Sequence, residues 1–180
     1  MAEEFKRDLF LASDVDAEST VEIIKEIIKV NNYDDAQERT VVDYEREPIK
    51  LYVQSVGGNV YDCWALVDVM LHSKTPIHTY CTGYAMSCGF IIYLAGSKRF
   101  ATKHSTFVYH QISSSYPLTK FEDLVNSIAE DSVLQEMMEQ FVVERTNIKK
   151  SELEDVKKQK IDLYMHIENA VRSGVVSEVI

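Results

Sequence analysis

The sequence predicts an α/β domain in which parallel strands alternate with helices. Three observations lead there. Apolar runs with a strand-like alternation are followed by apolar runs at helical spacing, glycine or proline punctuates the changes of period, and 180 residues suit one hydrophobic core. A composition of 46% apolar and 27% charged residues belongs to an ordinary globular chain, so residues 1–180 read as a single domain.

The elements follow in order. Residues 9–12 form a short apolar strand. Ser19 or Thr20 can cap a helix whose Val21, Ile24, Ile27 and Ile28 line one face. The polar stretch 31–48 predicts a long surface loop, with residues 40–44 open to a short edge strand. Residues 49–54 alternate and end at Ser55-Val56-Gly57-Gly58. Residues 61–71 then carry Trp64, Val67 or Ala65, and Leu71 at helical spacing, which makes a strand, a glycine turn and a helix.

Pro76 introduces a second strand at 77–81, and Thr82-Gly83 leads into an almost wholly apolar helix at 84–95, which must be buried. Residues 99–102 and 105–109 read as short strands separated by Lys103-His104. After a polar loop through Pro117, Thr119 and Glu122 form a capping-box pattern for a helix running to about Arg145. Ser151 and Glu154 repeat the pattern for a shorter helix. Residues 162–164 are extended, residues 168–172 make a helical turn halted by Gly174, and residues 175–179 close as a strand. Crossovers of this kind build a parallel sheet flanked by helices.

Charge is distributed unevenly over this pattern. Residues 1–50 hold 14 acids against 7 bases and residues 120–180 hold 13 against 8, whereas residues 51–119 hold 2 against 4. The middle is the buried part. A net charge of −10 without a basic face argues against a nucleic-acid ligand. No stretch approaches the apolar length of a membrane span or a secretory signal, so no membrane partner is expected. Cys63, Cys81 and Cys88 stand at spacings that match neither a zinc module nor a disulfide framework, which predicts reduced core residues and a cytoplasmic location.

Several residues carry possible chemistry. Ser87 lies between Gly83 and Gly89 where a strand gives way to a buried helix, and is either a small core residue or a nucleophile facing unpaired amides. Gly57-Gly58 either makes a tight turn or brings backbone N–H groups toward a developing oxyanion. His72, His78, His104 and His166 show no metal-ligating pattern and read as structural or surface residues. His110 differs, because it ends an apolar strand and opens a polar loop, a place where a side chain can be held rigidly beside a cleft. Asp162 follows a lysine-rich stretch and is either a solvated charge or a carboxylate sheltered by Ile161, Leu163 and Tyr164. Asp155 is the alternative acid.

Taken together, residues 54–60 (QSVGGNV), 83–89 (GYAMSCG), 95–100 (AGSKRF), 109–111 (YHQ), 162–165 (DLYM), 168–170 (ENA) and 174–179 (GVVSEV) resemble, in order and nearly in spacing, the successive signatures of the proteolytic subunit of the caseinolytic (Clp) protease family. The similarity runs from Leu9 to Ile180. It implies Ser87 as nucleophile, His110 as general base and acid, Asp162 as the orienting acid, and the amides of Gly58 and Cys88 as an oxyanion hole. Gly57, Ile112, Ser113 and Ser115 fall at its substrate-binding positions. The implied fold is a crotonase-like spiral of strand-strand-helix units with a helical handle at 119–147. The implied assembly is a homo-oligomeric heptameric ring, stacked in pairs. Neither metal nor bound cofactor is implied, and ATP enters only through a partner AAA+ unfoldase that delivers unfolded protein or peptide. The handle's apolar stripe of Phe121, Leu124, Ile128, Leu134, Met138 and Phe141 favours assembly independently.

The pattern departs from the family in places. Val56 and Ile112 replace prolines usual beside the glycine pair and the histidine, and Ser113-Ser114-Ser115 stands where the family has a glycine-containing clamp for extended substrate. Lys160 and Ile161 replace an acid-arginine pair. Few residues precede the strand at Leu9, and Lys50, His72, Thr82 and Thr102 are polar at positions of the usually apolar docking cleft, although Tyr52, Tyr80 and Phe100 keep aromatic character. These changes predict altered docking of the unfoldase. Two other activities fit parts of the sequence: a catalytically silent ring subunit, and a crotonase-like acyl-thioester enzyme that would use the paired amides but leave the serine, histidine and aspartate unexplained.

Overall fold

A computed structural model describes residues 6–180 as an α/β structure with a largely parallel sheet flanked by helices. Strands β1 (Asp8–Leu11), β2 (Ile49–Ser55), β3 (Ile77–Met86), β4 (Lys98–Ala101) and β7 (Glu178–Val179) lie side by side in the order β1-β2-β3-β4-β7, all parallel. β5 (Thr106–Tyr109) pairs in parallel with the far end of β3, and β6 (Leu163–His166) pairs antiparallel with β5. The helices are α1 (Ala17–Glu38), α2 (Val60–His72), α3 (Cys88–Leu94), α4 (Phe121–Arg145), α5 (Lys150–Gln159) and α6 (Ile167–Arg172). In packing order α1 lies on α2, α2 on α3, α3 on α4 and α4 on α5.

β3 organises the site. Its first half, Ile77 to Cys81, is flanked by β2 and β4, and its second half, Tyr84 to Met86, leaves β4 to pair with β5. The register against β2 shifts on the way, from Val53↔Cys81 to Ser55↔Ala85, so β3 gains extra residues and bends there. The strand therefore runs to Met86, and the apolar run expected as one helix at 84–95 is divided. Pairing with β5 holds its start extended, and only Cys88–Leu94 is helical and wholly buried.

Other boundaries differ for local reasons. α1 is capped by Asp16, whose carboxylate accepts the Ser19 N–H at 2.8 Å while Ser19 Oγ accepts the Asp16 N–H at 3.1 Å, so Ser19 is the third helical residue and not the cap. The buried stripe is accordingly Ile23, Ile27 and Val30, with Val21 and Ile28 exposed. Residues 31–38, expected as loop, continue α1, and 40–44 form no strand. On α2 the buried residues are Cys63, Leu66, Val67 and Met70, and Leu71 faces out. Neither expected capping box forms: Thr119 Oγ1 donates to the Pro117 carbonyl and α4 begins at Phe121, while α5 begins at Lys150 with Glu152 accepting the Lys149 N–H. Residues 175 and 176 fold back onto the Ala170 carbonyl, leaving only Glu178–Val179 to pair with β4.

The polar end of α1 is held by hydrogen bonds in place of apolar contact. Asp34, fully buried, accepts two bonds from Arg7 at 2.5 and 3.1 Å, one from Tyr44 at 2.6 Å and one from Thr75 at 2.5 Å. A bidentate arginine with two hydroxyls satisfies both carboxylate oxygens. Burial pushes this carboxyl up, but the bonds from Arg7, Thr75 and Tyr44 outweigh it and hold the group below the usual carboxylate range.

One face of the sheet carries a row of aromatic rings. Phe10, Tyr52, Tyr80 and Phe100, one from each of four neighbouring strands, stack across it with centroids 5.0, 5.0 and 4.7 Å apart. Lys50, in register with Asp8, lies 4.0 Å from its carboxylate, a contact between exposed groups. Thr82 is exposed at the bend of β3, and His72 closes α2, exposed, with its Nδ1 against the Asp68 carbonyl. Among the described residues no helix is long and apolar enough to cross a membrane.

Candidate active site

Ser87 joins β3 to α3. Its N–H continues the ladder by donating to Val108 O at 2.9 Å, and its carbonyl accepts from Phe90 and Ile91 as the first acceptor of α3. Switching from strand to helix in one residue requires φ 52 and ψ −126, a conformation that costs a residue with a side chain about 1–3 kcal/mol. Such a turn lifts the hydroxyl-bearing carbon out of the sheet at a strand end.

The glycine pair is built against this turn. Gly57 has φ 105, and a Cβ there would stand 2.6 Å from Ser87 Cβ and 3.0 Å from the Cys88 nitrogen. At Gly58 a Cβ would lie 2.2 Å from Val15 O. Val15 bridges this segment in parallel: its N–H donates to Gly57 O and its carbonyl accepts from Asn59, at 2.8 and 2.7 Å. In that geometry the intervening Gly58 N–H points away from Val15. The Cys88 thiol donates to Gly58 O at 3.3 Å, and the Cys63 thiol donates to Cys88 O at 3.5 Å. Both cysteines are buried and unbridged, as Cys81 is, and burial pushes the Cys63 thiol well above its ordinary range.

The register brings the other two residues alongside. β5 pairs Val108 with Met86 in parallel, so Tyr109 stands across from Ser87 and His110 follows one residue beyond it, at the same ends of adjacent strands that lie roughly 5 Å apart in such sheets. β6 pairs Tyr109 with Leu163, and the next step of that register sets Asp162 across from His110. His110 and Asp162 also line one open cavity of about 530 Å³, together with Gln111, Ile112, Ser113, Ser114, Lys160 and Ile161.

The side chains are not joined. Among the described residues no hydrogen bond links Ser87, His110 and Asp162. His110 Nδ1 lies 2.5 Å from the Gln111 carbonyl, which only accepts, so this nitrogen carries the proton. Asp162 is exposed, and the shelter expected from its neighbours is incomplete because Ile161 and Tyr164 also face solvent. Asp155 lies exposed within α5, outside this cavity. Ser113 and Ser115 are exposed on a segment without regular structure, and Ile112 packs against the core.

Sequence reading missed Gln135. From α4 its side chain reaches Tyr109 Oη, Glu139 and the backbone N–H of Ile112. Burial, with Glu139 nearby, pushes Tyr109 up to about 12 against the hydrogen bond from Gln135. No spacing signals such a contact, since Gln135 reads as one more polar position on a long helix.

Among the described residues no group of three or more histidine, cysteine, aspartate or glutamate side chains could hold a metal. Comparison with known proteins identifies relatives. The Clp protease family model matches residues 3–180. The chain is 30% identical over 182 residues to the ATP-dependent Clp protease proteolytic subunit 1 of Prochlorococcus marinus subsp. pastoris, covering 97% of this chain and 84% of the relative. It is 26% identical over 176 residues to the proteolytic subunit of Deinococcus radiodurans, covering 97% and 80%, and 30% identical over 143 residues to that of Helianthus annuus, covering 78% and 68%.

Proposed function

The chain belongs to the Clp protease family, and from that premise we propose that it is a serine peptidase subunit in which Ser87, His110 and Asp162 form the catalytic triad. The observation that carries this reading is the strand register: adjacent strand ends hold the three residues in triad order, beside a glycine pair that approaches the serine.

In the proposed reaction Ser87 Oγ attacks the peptide carbonyl as His110 Nε2 takes its proton. The amides of Gly58 and Cys88 hold the developing oxyanion, an interaction worth on the order of 3 kcal/mol for each donor. His110 then returns the proton to the leaving amine, and afterwards activates water against the acyl-enzyme. For Asp162 to orient and stabilise the imidazolium, His110 Nδ1 must exchange the Gln111 carbonyl for that carboxylate. The extended substrate would lie along residues 111–115, with Gly57 on its other side.

The crotonase-like spiral, the single domain and the handle of α4 belong to the same proposal, as does assembly into heptameric rings stacked in pairs, which would enclose the site in a chamber.

 The observations that support assembly are the exposed apolar residues on the first half of α4, Phe121, Val125 and Ile128, and the aromatic ladder on the sheet, whose Phe10 is exposed and whose other three rings are half-buried. An ATP-driven unfoldase would dock at that ladder and deliver unfolded protein, with docking altered by Lys50, His72, Thr82 and Thr102.

A silent ring subunit is the second reading, favoured by the absence, among the described residues, of a hydrogen bond from His110 to Ser87 or Asp162. A fluorophosphonate separates the two. Labelling of Ser87 in assembled protein, lost in Ser87→Ala, is the expected result, and an unlabelled Ser87 rejects the peptidase.

A further inference from the structure

Gln135 is fully engaged. Its Oε1 accepts the Ile112 N–H at 2.7 Å, and its Nε2 donates to Tyr109 Oη and to Glu139 Oε1, both at 2.9 Å. The amide's orientation is fixed by chemistry, because a backbone N–H can only donate and a carboxylate can only accept. Glu139 is itself buried and held by Lys157 at 3.0 Å, from the helix that leads to Asp162. One side chain on α4 thus grips the residue before His110 and the second residue after it.

That grip sets a direction. In an extended chain successive amides point to opposite sides. With the Ile112 N–H turned toward α4, the Gln111 carbonyl of the same trans peptide points the other way and meets the His110 ring, and where a bound peptide holds the segment extended the Ser113 N–H turns to that same side. We infer that Gln135 is a positioning residue that fixes the phase of residues 110–115, and so presents the backbone of Ser113 to an extended peptide substrate. The inference rests on the peptidase reading above.

The test compares the assembled wild type with Gln135→Met, which fills the same volume without an amide, and with Tyr109→Phe, which removes one contact and leaves the Ile112 bond. The measurements are the rate of Ser87 labelling by a fluorophosphonate, kcat and KM for a short fluorogenic peptide, and the cut sites in casein. Gln135→Met is expected to label within about twofold of wild type, to raise KM about tenfold with a smaller change in kcat, and to shift the cut sites. Tyr109→Phe is expected to keep KM within about twofold. An unchanged KM and cut-site map in Gln135→Met overturns the inference, as does an equal loss in Tyr109→Phe or a fall in labelling that matches the fall in turnover. A wild type that does not label at Ser87 overturns the peptidase reading itself, which separates the two failures.

Discussion

Two polar clusters in this molecule are put to opposite uses. Around Asp34 every carboxylate lone pair in reach of a donor is taken, by Arg7, Tyr44 and Thr75, and the group is sealed from water. Around His110 the polar groups are left accessible: among the described residues Asp162 has no hydrogen-bond partner, the three serines 113–115 face solvent, and the imidazole is bonded only to its neighbour's carbonyl. A satisfied buried network stabilises a structure and has nothing left to offer a ligand. An unsatisfied, open one contributes little to stability and can exchange partners.

If that contrast is right, mutations should split cleanly between activity and stability. The largest effect is expected at Ser87: Ser87→Ala should lower kcat for peptide hydrolysis by at least about 10³-fold with the thermal midpoint nearly unchanged. Asp162→Asn should follow, with a loss of about 10²-fold or more because an amide would favour the wrong imidazole tautomer, whereas Asp155→Asn should retain turnover. Turnover lost in Asp155→Asn and kept in Asp162→Asn would move the orienting acid to α5.

Asp34→Asn reverses the pattern. It replaces an acceptor with a donor opposite Arg7 and should cost about 3 kcal/mol, seen as a fall in thermal midpoint of about 6 °C or more, with activity per folded molecule kept. The same group predicts acid sensitivity. Its folded pKa is depressed, so its stabilisation is complete above the ordinary aspartate value of about 3.9 and is lost as pH falls through the lower folded value. Thermal midpoints of wild type and Asp34→Asn should therefore converge as pH falls below about 4, and curves that stay parallel would remove Asp34 from the acid response.

The contrast also explains what could be read in advance. The alternation at 49–54 and 77–81 marked β2 and the first half of β3, because those strands bury one face, and the spacing after Gly57-Gly58 marked α2. The polar end of α1 was invisible to periodicity, since residues 31–38 are held by side-chain bonds to Arg7, Tyr44, Thr75 and Lys74, which come from distant parts of the chain. Residues 84–86 misled for a related reason. Their apolar character fits a buried helix and a buried strand equally, and only the arrival of β5 decides. At the site, the order of motifs named Ser87, His110 and Asp162, but Gln135 carries no motif and its role depends on where α4 passes the loop.

The smallest expected effect concerns the backbone. Ser87 and Lys160 both have positive φ, at 52 and 54, yet their settings differ. Lys160 sits in the left-handed region at the end of α5, with ψ 46, where its N–H donates to Lys157 O and the helix terminates. Ser87, with ψ −126, lies where glycine alone is comfortable, and a serine is retained although its strain weakens the fold. Alanine keeps that strain and glycine removes it. Ser87→Gly should therefore be more stable than Ser87→Ala by about 1 kcal/mol, while both are inactive. Lys160→Gly, two residues before Asp162, should stabilise by less than about 1 kcal/mol and keep most turnover, because the helix end it closes already has the shape that glycine prefers. Denaturant midpoints measure both differences. Equal midpoints for the glycine and alanine variants at position 87 would mean that the turn holds no strain and that the open cluster is not maintained at a cost in stability.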